Sequence, residues 1–413
     1  MTRLTQAHFD ILDRDDPLAP LRDEFQLPAG VIYLNGNSLG PMPKAAASAV
    51  KVAAEQEWGE WLITSWNRAG WFDLPYKLGG KVASLIGAEA DEVTVSDATG
   101  LNLFKAVAMA LSLNPGRKVL VMEGSNFPTD NYMVQGLVEF LGQGHSIRFA
   151  EKDHILDAID ESVAAVVLTQ VHYRTAHILD MKAITARAHE KGAVAVWDLC
   201  HSAGVLEVDL NGCEADLAVG CTYKYLNGGP GSPAFTFVAR RHQGKARQPL
   251  TGWWGHDAPF RFERDYRPKP GIGQTLTGTQ AILSLRAAEA GIGLACRADA
   301  RRVRHKAMAM GDLFIELIEE SCAGKGFSLA SPRRGDQRGG HVAFDHEQGY
   351  PIMKALIARG VIGDFRAPST LRFGFSPLFL RYADIWKSAE ILADIMAREV
   401  WTEPAYQTVD KVT

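Results

Sequence analysis

From about residue 80 to residue 240, hydrophobic positions fall in continuous runs rather than alternating with polar ones. KVLVMEG (118–124), AAVVLTQV (164–171), AVAVWDL (193–199), LAVGCTY (217–223) and PAFTFVA (233–239) are short, apolar and rich in β-branched residues. Such runs predict strands covered on both faces. Helical patterning lies between several of them, as in MKAITARAHEKG after Asp180. Strand–helix alternation predicts an α/β fold with a mostly parallel sheet, and the last run follows its predecessor closely enough for antiparallel pairing. After a loop-rich segment at 251–278, residues 279–320 read as one long helical stretch. HVAFDH and TLRFGFS then supply strands for a smaller C-terminal α+β unit. The first 45 or so residues, rich in proline and turn formers, read as an arm leading into a helix near Lys44. The expected organisation is an arm (1–45), a large unit (46–285), and a linking helix with a small unit (286–413).

Composition narrows the function classes. The chain has 413 residues, 46% hydrophobic and 22% charged, with a net charge of −4, values of an ordinary soluble protein. Its densest basic stretch, Arg297–Ala307, sits inside a helical pattern and reads as a solvated face, so no nucleic-acid partner is expected. Five cysteines without CxxC spacing argue against a disulfide framework and against a zinc site. The N-terminus lacks the pattern of a signal peptide, and no apolar run has membrane-spanning length. A cytoplasmic protein without a membrane partner is expected.

Open α/β sheets bind ligands beyond the carboxyl ends of their strands, and four strand ends carry suggestive chemistry. Asp198 closes the run AVAVWD, with His201 three residues on. A carboxylate there either pairs with a cationic ring nitrogen or caps the next segment. Lys224 leaves LAVGCTY between two tyrosines and before GGPG. A buried ammonium is costly, whereas a lysine committed to a Schiff base gives up its free amine. Thr99 and Gly100 precede an apolar helical pattern, where free N–H groups and the helix dipole suit phosphate. In EGSNFPTDNY, Phe127 offers a face to a planar ring and Asp130 a second carboxylate. Together these fit a planar, phosphorylated aldehyde cofactor.

At this point the chain resembles the fold-type I enzymes that use pyridoxal 5′-phosphate (PLP), and among them the kynureninases, of bacterial type. The resemblance runs along essentially the whole chain, through NGNSLGPMP, FPTD, WDLCHSAG, TYKYLNGGPGSPAF, GWWGH and LRFGFSPL. It implies that Lys224 is the Schiff-base lysine and the base at the substrate Cα, that Asp198 holds the pyridine nitrogen protonated with Asp130 nearby, and that Phe127 stacks on the ring. It places Thr169 and His201 against the cofactor, and Thr99, Gly100 and the Tyr223 hydroxyl on its phosphate. Tyr223 is also the candidate acid–base relay. Trp253 and Thr279 match positions that reach the cofactor from a neighbouring subunit, so a homodimer with shared active sites is implied. Arg372 matches the residue gripping the substrate α-carboxylate, and Ser38 and Trp61 join it as substrate-binding positions. The implied reaction is hydrolysis of L-kynurenine to anthranilate and L-alanine in tryptophan degradation, a route feeding NAD biosynthesis.

Departures sharpen the expectation. Gly278 and Thr279 stand where animal members carry a Ser–Asn pair, and Trp61 where they carry a histidine, which points to a pocket preferring kynurenine over its 3-hydroxy form. Three rivals share the fold or the cofactor. A cysteine desulfurase would use Cys322 as nucleophile, but the cysteine follows the helical run FIELIEES and Phe127 replaces that family's histidine. A class V aminotransferase would use the same lysine. A non-catalytic PLP-binding module would normally append a DNA-binding segment.

Overall fold

The structure, a computed structural model, describes residues 4–408. Its strands are β1 (Ile32–Tyr33), β2 (Val93–Val95), β3 (Val119–Glu123), β4 (Ser146–Ala150), β5 (Val163–Thr169), β6 (Val194–Asp198), β7 (Leu217–Gly220), β8 (Phe235–Val238), β9 (Ser328–Leu329), β10 (His341–Asp345), β11 (Val361–Ile362), β12 (Asp364–Arg366) and β13 (Thr370–Gly374). Seven form the large sheet, in the order β2-β8-β7-β6-β5-β3-β4. Strands β4, β3, β5, β6 and β7 run parallel, and β8 is antiparallel to both its neighbours. All five apolar runs are strands, and the close spacing of the last two gives the antiparallel pair.

The continuous apolar runs are explained by two cores, one on each face of the sheet. Alternate residues Val121, Val166, Leu168, Ala195, Trp197 and Ala218 enter one core. Their neighbours Leu120, Met122, Val167, Val196, Leu217 and Val219 enter the other, against the helices Thr99–Leu113 and Pro128–Leu141. Because side chains alternate across a strand, only an all-apolar strand satisfies both faces.

A third core builds the smaller unit. The antiparallel sheet β12-β13-β10-β9 packs with the helices Ala300–Ser321, Gly349–Ala358 and Tyr382–Ala397. The N-terminal arm belongs to this core, since Phe9, Leu18, Phe25 and Leu34 are buried in it and β1 pairs with β11.

Two expectations change. The long helical stretch breaks into Ile282–Ala295 and Ala300–Ser321, because the Asp299 side chain accepts the Arg302 N–H and caps the second helix. Its basic segment is also not simply a solvated face. Lys306 is buried, ion-paired to Asp16 at 2.7 Å and donating to the Pro377 and Leu380 carbonyls.

The parallel strands are tied near their amino ends by Asp216. Its carboxylate accepts from His189 Nε2 (2.8 Å), His242 Nε2 (2.7 Å), Arg241 Nη2 (2.7 Å) and the Ala195 N–H (2.7 Å), joining the Met181–Glu190 helix, β6 and the segment after β8. Burial opposes ionisation, but the two histidines and the amide outweigh it and hold the carboxyl well below its usual range. A depressed pKa contributes stability above the unfolded value, about 3.9, that disappears as pH falls through the folded value. Asp216→Asn should therefore cost about 3 kcal/mol in urea denaturation at pH 7. The deficit against wild type should shrink as the solution is acidified.

Candidate active site

The carboxyl ends of the large sheet open on a cavity of about 240 Å³. Thr99, Gly100, Phe127, Asp130, Thr169, Asp198, His201, Tyr223 and Lys224, nine of the positions singled out in the sequence, line it. Segments 125 residues apart, at Thr99 and Lys224, converge because β2, β3, β5, β6 and β7 all end there.

One wall is made of acids. Register pairs Thr169 with Asp198 at the ends of β5 and β6, and Asp130 enters from the first turn of the Pro128–Leu141 helix. Asp130 and Asp198 are both buried. Asp130 accepts from Thr169 Oγ1 and Asn126 Nδ2, each at 3.2 Å, and Asp198 accepts the Cys200 N–H at 2.6 Å. Burial first, then the charge and hydrogen bond of Asp198, push the Asp130 carboxyl well above its ordinary value. The two acids thus hold a proton and a negative charge between them. Asp198 does not cap a helix, since turns follow it.

The opposite wall is made of bases. Lys224 Nζ lies 2.9 Å from His201 Nε2. Burial, then the Lys224 charge, hold the His201 pKa well below its usual value, so the ring is neutral and accepts from the ammonium. The lysine loop is clamped from two sides by glycines. A side chain on Gly40 would lie 2.5 Å from the Lys224 carbonyl oxygen, and one on Gly291 2.2 Å from that of Asn227. The NGNSLGP motif of the arm therefore packs directly on the lysine turn, with the Gly40 N–H donating to the Tyr223 carbonyl at 2.7 Å.

At a third side, the Thr99–Leu113 helix presents its N-terminus with no side-chain cap. Such an end offers backbone donors to an anion. Phe127, at the mouth, is 44% exposed although aromatic, and Tyr173 meets it edge-on at 5.2 Å. Burial raises the pKa of Tyr223, so its phenol stays protonated.

These observations test whether PLP fits. A protonated pyridine nitrogen would compensate the Asp130–Asp198 charge, the open helix end would take the phosphate, Phe127 would cover a ring face, and Lys224 would meet the aldehyde. The residues present fit the group.

Arg372 and Ser38 lie beside the cavity but outside its lining. The Arg372 guanidinium makes a two-pronged contact with Asp364, through Nε at 2.7 Å and through Nη2. It also donates to Ser38 Oγ at 3.0 Å and to the Tyr173 carbonyl. Four of its five N–H groups are thus taken. Burial opposes Asp364 ionisation, yet Arg372, with Arg366, holds its pKa below the usual range. Trp61, Trp253 and Thr279 are not brought to this cavity. Trp61 lies under the Arg68 guanidinium, 4.3 Å from its ring centroid. Trp253 and Thr279 sit on the surface, Trp253 being 41% exposed. Cys322 ends a helix within the small-unit core, where burial pushes its thiol pKa up, contrary to what a nucleophile needs.

Sequence reasoning did not single out Tyr173, Asn126 or Asp364. Tyr173 follows β5 by four residues, so the strand-end rule that found Asp198 would have found it. Asp364 carried no signal, because its β-pairing opposite Arg372 and its contact with Ser38 form only in the fold.

Residues 303–392 match the family described as kynureninase C-terminal domain, and residues 76–239 that of Cys/Met metabolism PLP-dependent enzymes. The chain is 51% identical to a kynureninase of Burkholderia mallei (strain SAVP1), over 97% of this chain and 98% of that protein. It is 48% identical to a kynureninase of Pseudomonas fluorescens with the same coverage. Among solved structures, the cystine C–S lyase C-DES bound to its product cysteine persulfide matches with a TM-score of 0.76 at 16% identity, over 89% of this chain and 98% of that one. A cysteine desulfurase from Thermococcus onnurineus NA1 matches with a TM-score of 0.76 at 17% identity, over 96% and 100%. At such identities the structural matches speak for the fold, that of fold-type I PLP enzymes, while the sequence matches place the chain in its family. The chain belongs to the kynureninase family of PLP-dependent enzymes.

Proposed function

We propose that the chain hydrolyses L-kynurenine at the Cβ–Cγ bond, giving anthranilate and L-alanine, with Lys224 as the cofactor-bearing lysine. The supporting observation is the convergence in one cavity of a lysine beside a neutral histidine and two acids sharing a proton. Bound PLP supplies an electron sink for the bonds at the substrate α-carbon.

The chain's own groups supply the rest. Asp198, steadied by the Cys200 N–H, carries the negative charge that keeps the ring nitrogen protonated, while Asp130 keeps its own proton. Lys224 Nζ, freed once substrate is bound, takes the proton from Cα and returns it, with the His201 lone pair orienting the amine. Tyr223, whose phenol stays protonated, donates to the phosphate and relays a proton during cleavage. Thr99 and Gly100 hold the phosphate with backbone N–H groups. Thr169 secures Asn126 at 2.6 Å and with it the loop carrying Phe127. Arg372, pre-aligned by Asp364 and Ser38, offers its remaining N–H to the α-carboxylate and gains a second by exchanging the Tyr173 carbonyl.

The working unit in this reading is a cytoplasmic homodimer. Trp253, Phe260 and Phe262 form an edge-to-face series (5.9 and 6.5 Å) on the surface, and Phe262 is 80% exposed. Leu62 and Ile63 are exposed on the segment that packs through Trp66 onto Trp254. Apolar exposure on this scale favours association. A second copy seated here would bring Trp61, Trp253 and Thr279 to its partner's cavity, where Gly278, Thr279 and Trp61 favour kynurenine over its 3-hydroxy form.

Purified protein supplied with PLP should be yellow and release anthranilate and alanine from L-kynurenine. Lys224→Ala should lower turnover by a factor on the order of 10⁴ or more, and wild-type protein that binds PLP but leaves kynurenine intact would refute the substrate. Tyr223→Phe should keep the cofactor and lose about 10²-fold in kcat; unchanged turnover would remove the relay role. Phe262→Glu should shift light-scattering mass toward the monomer and reduce activity in parallel, whereas an active monomer would refute the shared site.

A further inference from the structure

Behind Lys224, the seam between the large sheet and the small unit holds buried polar atoms that the reaction above leaves unused. His341 opens β10 and is fully buried; neither ring nitrogen makes a close side-chain hydrogen bond, and the Arg174 backbone carbonyl faces one of them. Its ring centroid lies 5.6 Å from that of His201, at an interplanar angle of 58°. His201 meets Lys224 through Nε2 and leaves its own Nδ1 buried and unpaired. An unpaired His201 Nδ1 and a free nitrogen of His341 thus adjoin in the interior. An unsatisfied buried polar group costs about 1–3 kcal/mol, so the arrangement calls for a bond between the rings, direct or through one bound water.

Sheet register defines what else His341 touches on. Across the β10–β13 ladder His341 faces Gly374 and Ala343 faces Arg372, so His341 and Arg372 share a sheet face. Asp364, opposite Arg372 on β12, shares it too. His341 therefore stands between the histidine of the lysine and the arginine of the carboxylate clamp.

Tautomer chemistry gives the contact a direction. For His201 Nε2 to accept from the Lys224 amine, the neutral ring must carry its proton on Nδ1. That N–H then needs an acceptor, and a neutral His341 nitrogen is one. Burial comes first in keeping both rings uncharged. Lys224, His341, Arg372 and Arg366 reinforce it around His201, and Arg372 and His172 do so around His341, where Asp364 and the Arg174 backbone carbonyl oppose.

We propose that His341 is a positioning residue that accepts the Nδ1 proton of His201, directly or through a single buried water, and so fixes the tautomer presenting a lone pair to Lys224 Nζ. The inference rests on the reading of Lys224 as the cofactor-bearing lysine.

The test compares the holoenzyme of wild type, His341→Phe and His341→Gln by visible absorbance against pH. Losing the acceptor should move the midpoint of the cofactor band by about half a pH unit or more in His341→Phe. Its kcat should fall about tenfold with KM within about twofold. His341→Gln, which keeps an acceptor, should return the midpoint most of the way to wild type. An unshifted midpoint in His341→Phe, or a glutamine variant behaving like the phenylalanine one, would overturn the proposal. Should His341→Phe fail to fold, nitrogen-15 NMR of histidine-labelled wild-type protein decides: a proton on His201 Nδ1 supports the inference, and one on Nε2 refutes it. Wild-type protein forming no visible band with PLP would instead refute the Lys224 reading, while the NMR tautomer would still report on the histidine pair.

Discussion

Two buried carboxylates placed side by side cannot both ionise, and the rest of the site is organised around that constraint. Asp130 and Asp198 retain a proton between them because burial and mutual repulsion favour one charge over two. Among the described residues no cation ion-pairs with the remaining charge, so the pair suits a ligand that brings one. The sheet enforces the pairing. Asp198 is fixed by the register of β6 against β5, and Asp130 by the first turn of a helix whose preceding loop is held by Thr169 and Asn126. Neither acid can turn toward water without dismantling strand-end contacts, which is how a costly arrangement persists.

The bases obey the same logic in reverse. Lys224 and His201 lie in contact, and two cations there would repel in a poorly solvated setting. The ring yields and stays neutral, which turns it from a competitor into an acceptor for the ammonium. The cavity therefore presents an acid wall with one charge, a basic wall with one charge and an uncapped helix end between them. A zwitterionic planar ligand with a phosphate satisfies all three surfaces at once, which explains why residues from five strand ends had to be kept in register.

Much of this was legible in the sequence because it depends on local pattern. All-apolar strands announce two covered faces, and Asp198, Lys224 and Thr99 are conspicuous as polar residues where such runs end. Gly40 and Gly291 carried no such message, since their need is close approach to the Lys224 and Asn227 backbone, a contact visible only in three dimensions. The same holds for Asp364 and His341, each on a short strand of the smaller sheet and each meaningful only through a cross-strand neighbour. Periodicity also overlooked the break between Ala295 and Ala300, because helical residues continue through it while a single aspartate cap restarts the helix.

The Arg372 guanidinium shows how the two units of the fold are made to depend on each other. Arg372 belongs to the smaller sheet, yet its guanidinium donates to the Tyr173 carbonyl of the large sheet's loop and to Ser38 of the arm. Asp364 compensates the arginine's charge before any substrate arrives, so the fork is rigid and partly neutralised rather than free and fully charged. Partial neutralisation weakens attraction to any passing anion, while rigidity favours a ligand whose carboxylate arrives at the one open edge. Selectivity at this position therefore follows from where the rest of the substrate is anchored. In the proposed function, an amino acid held at its nitrogen by Lys224 would present its carboxylate to Arg372, whereas a free carboxylate would lack that anchor.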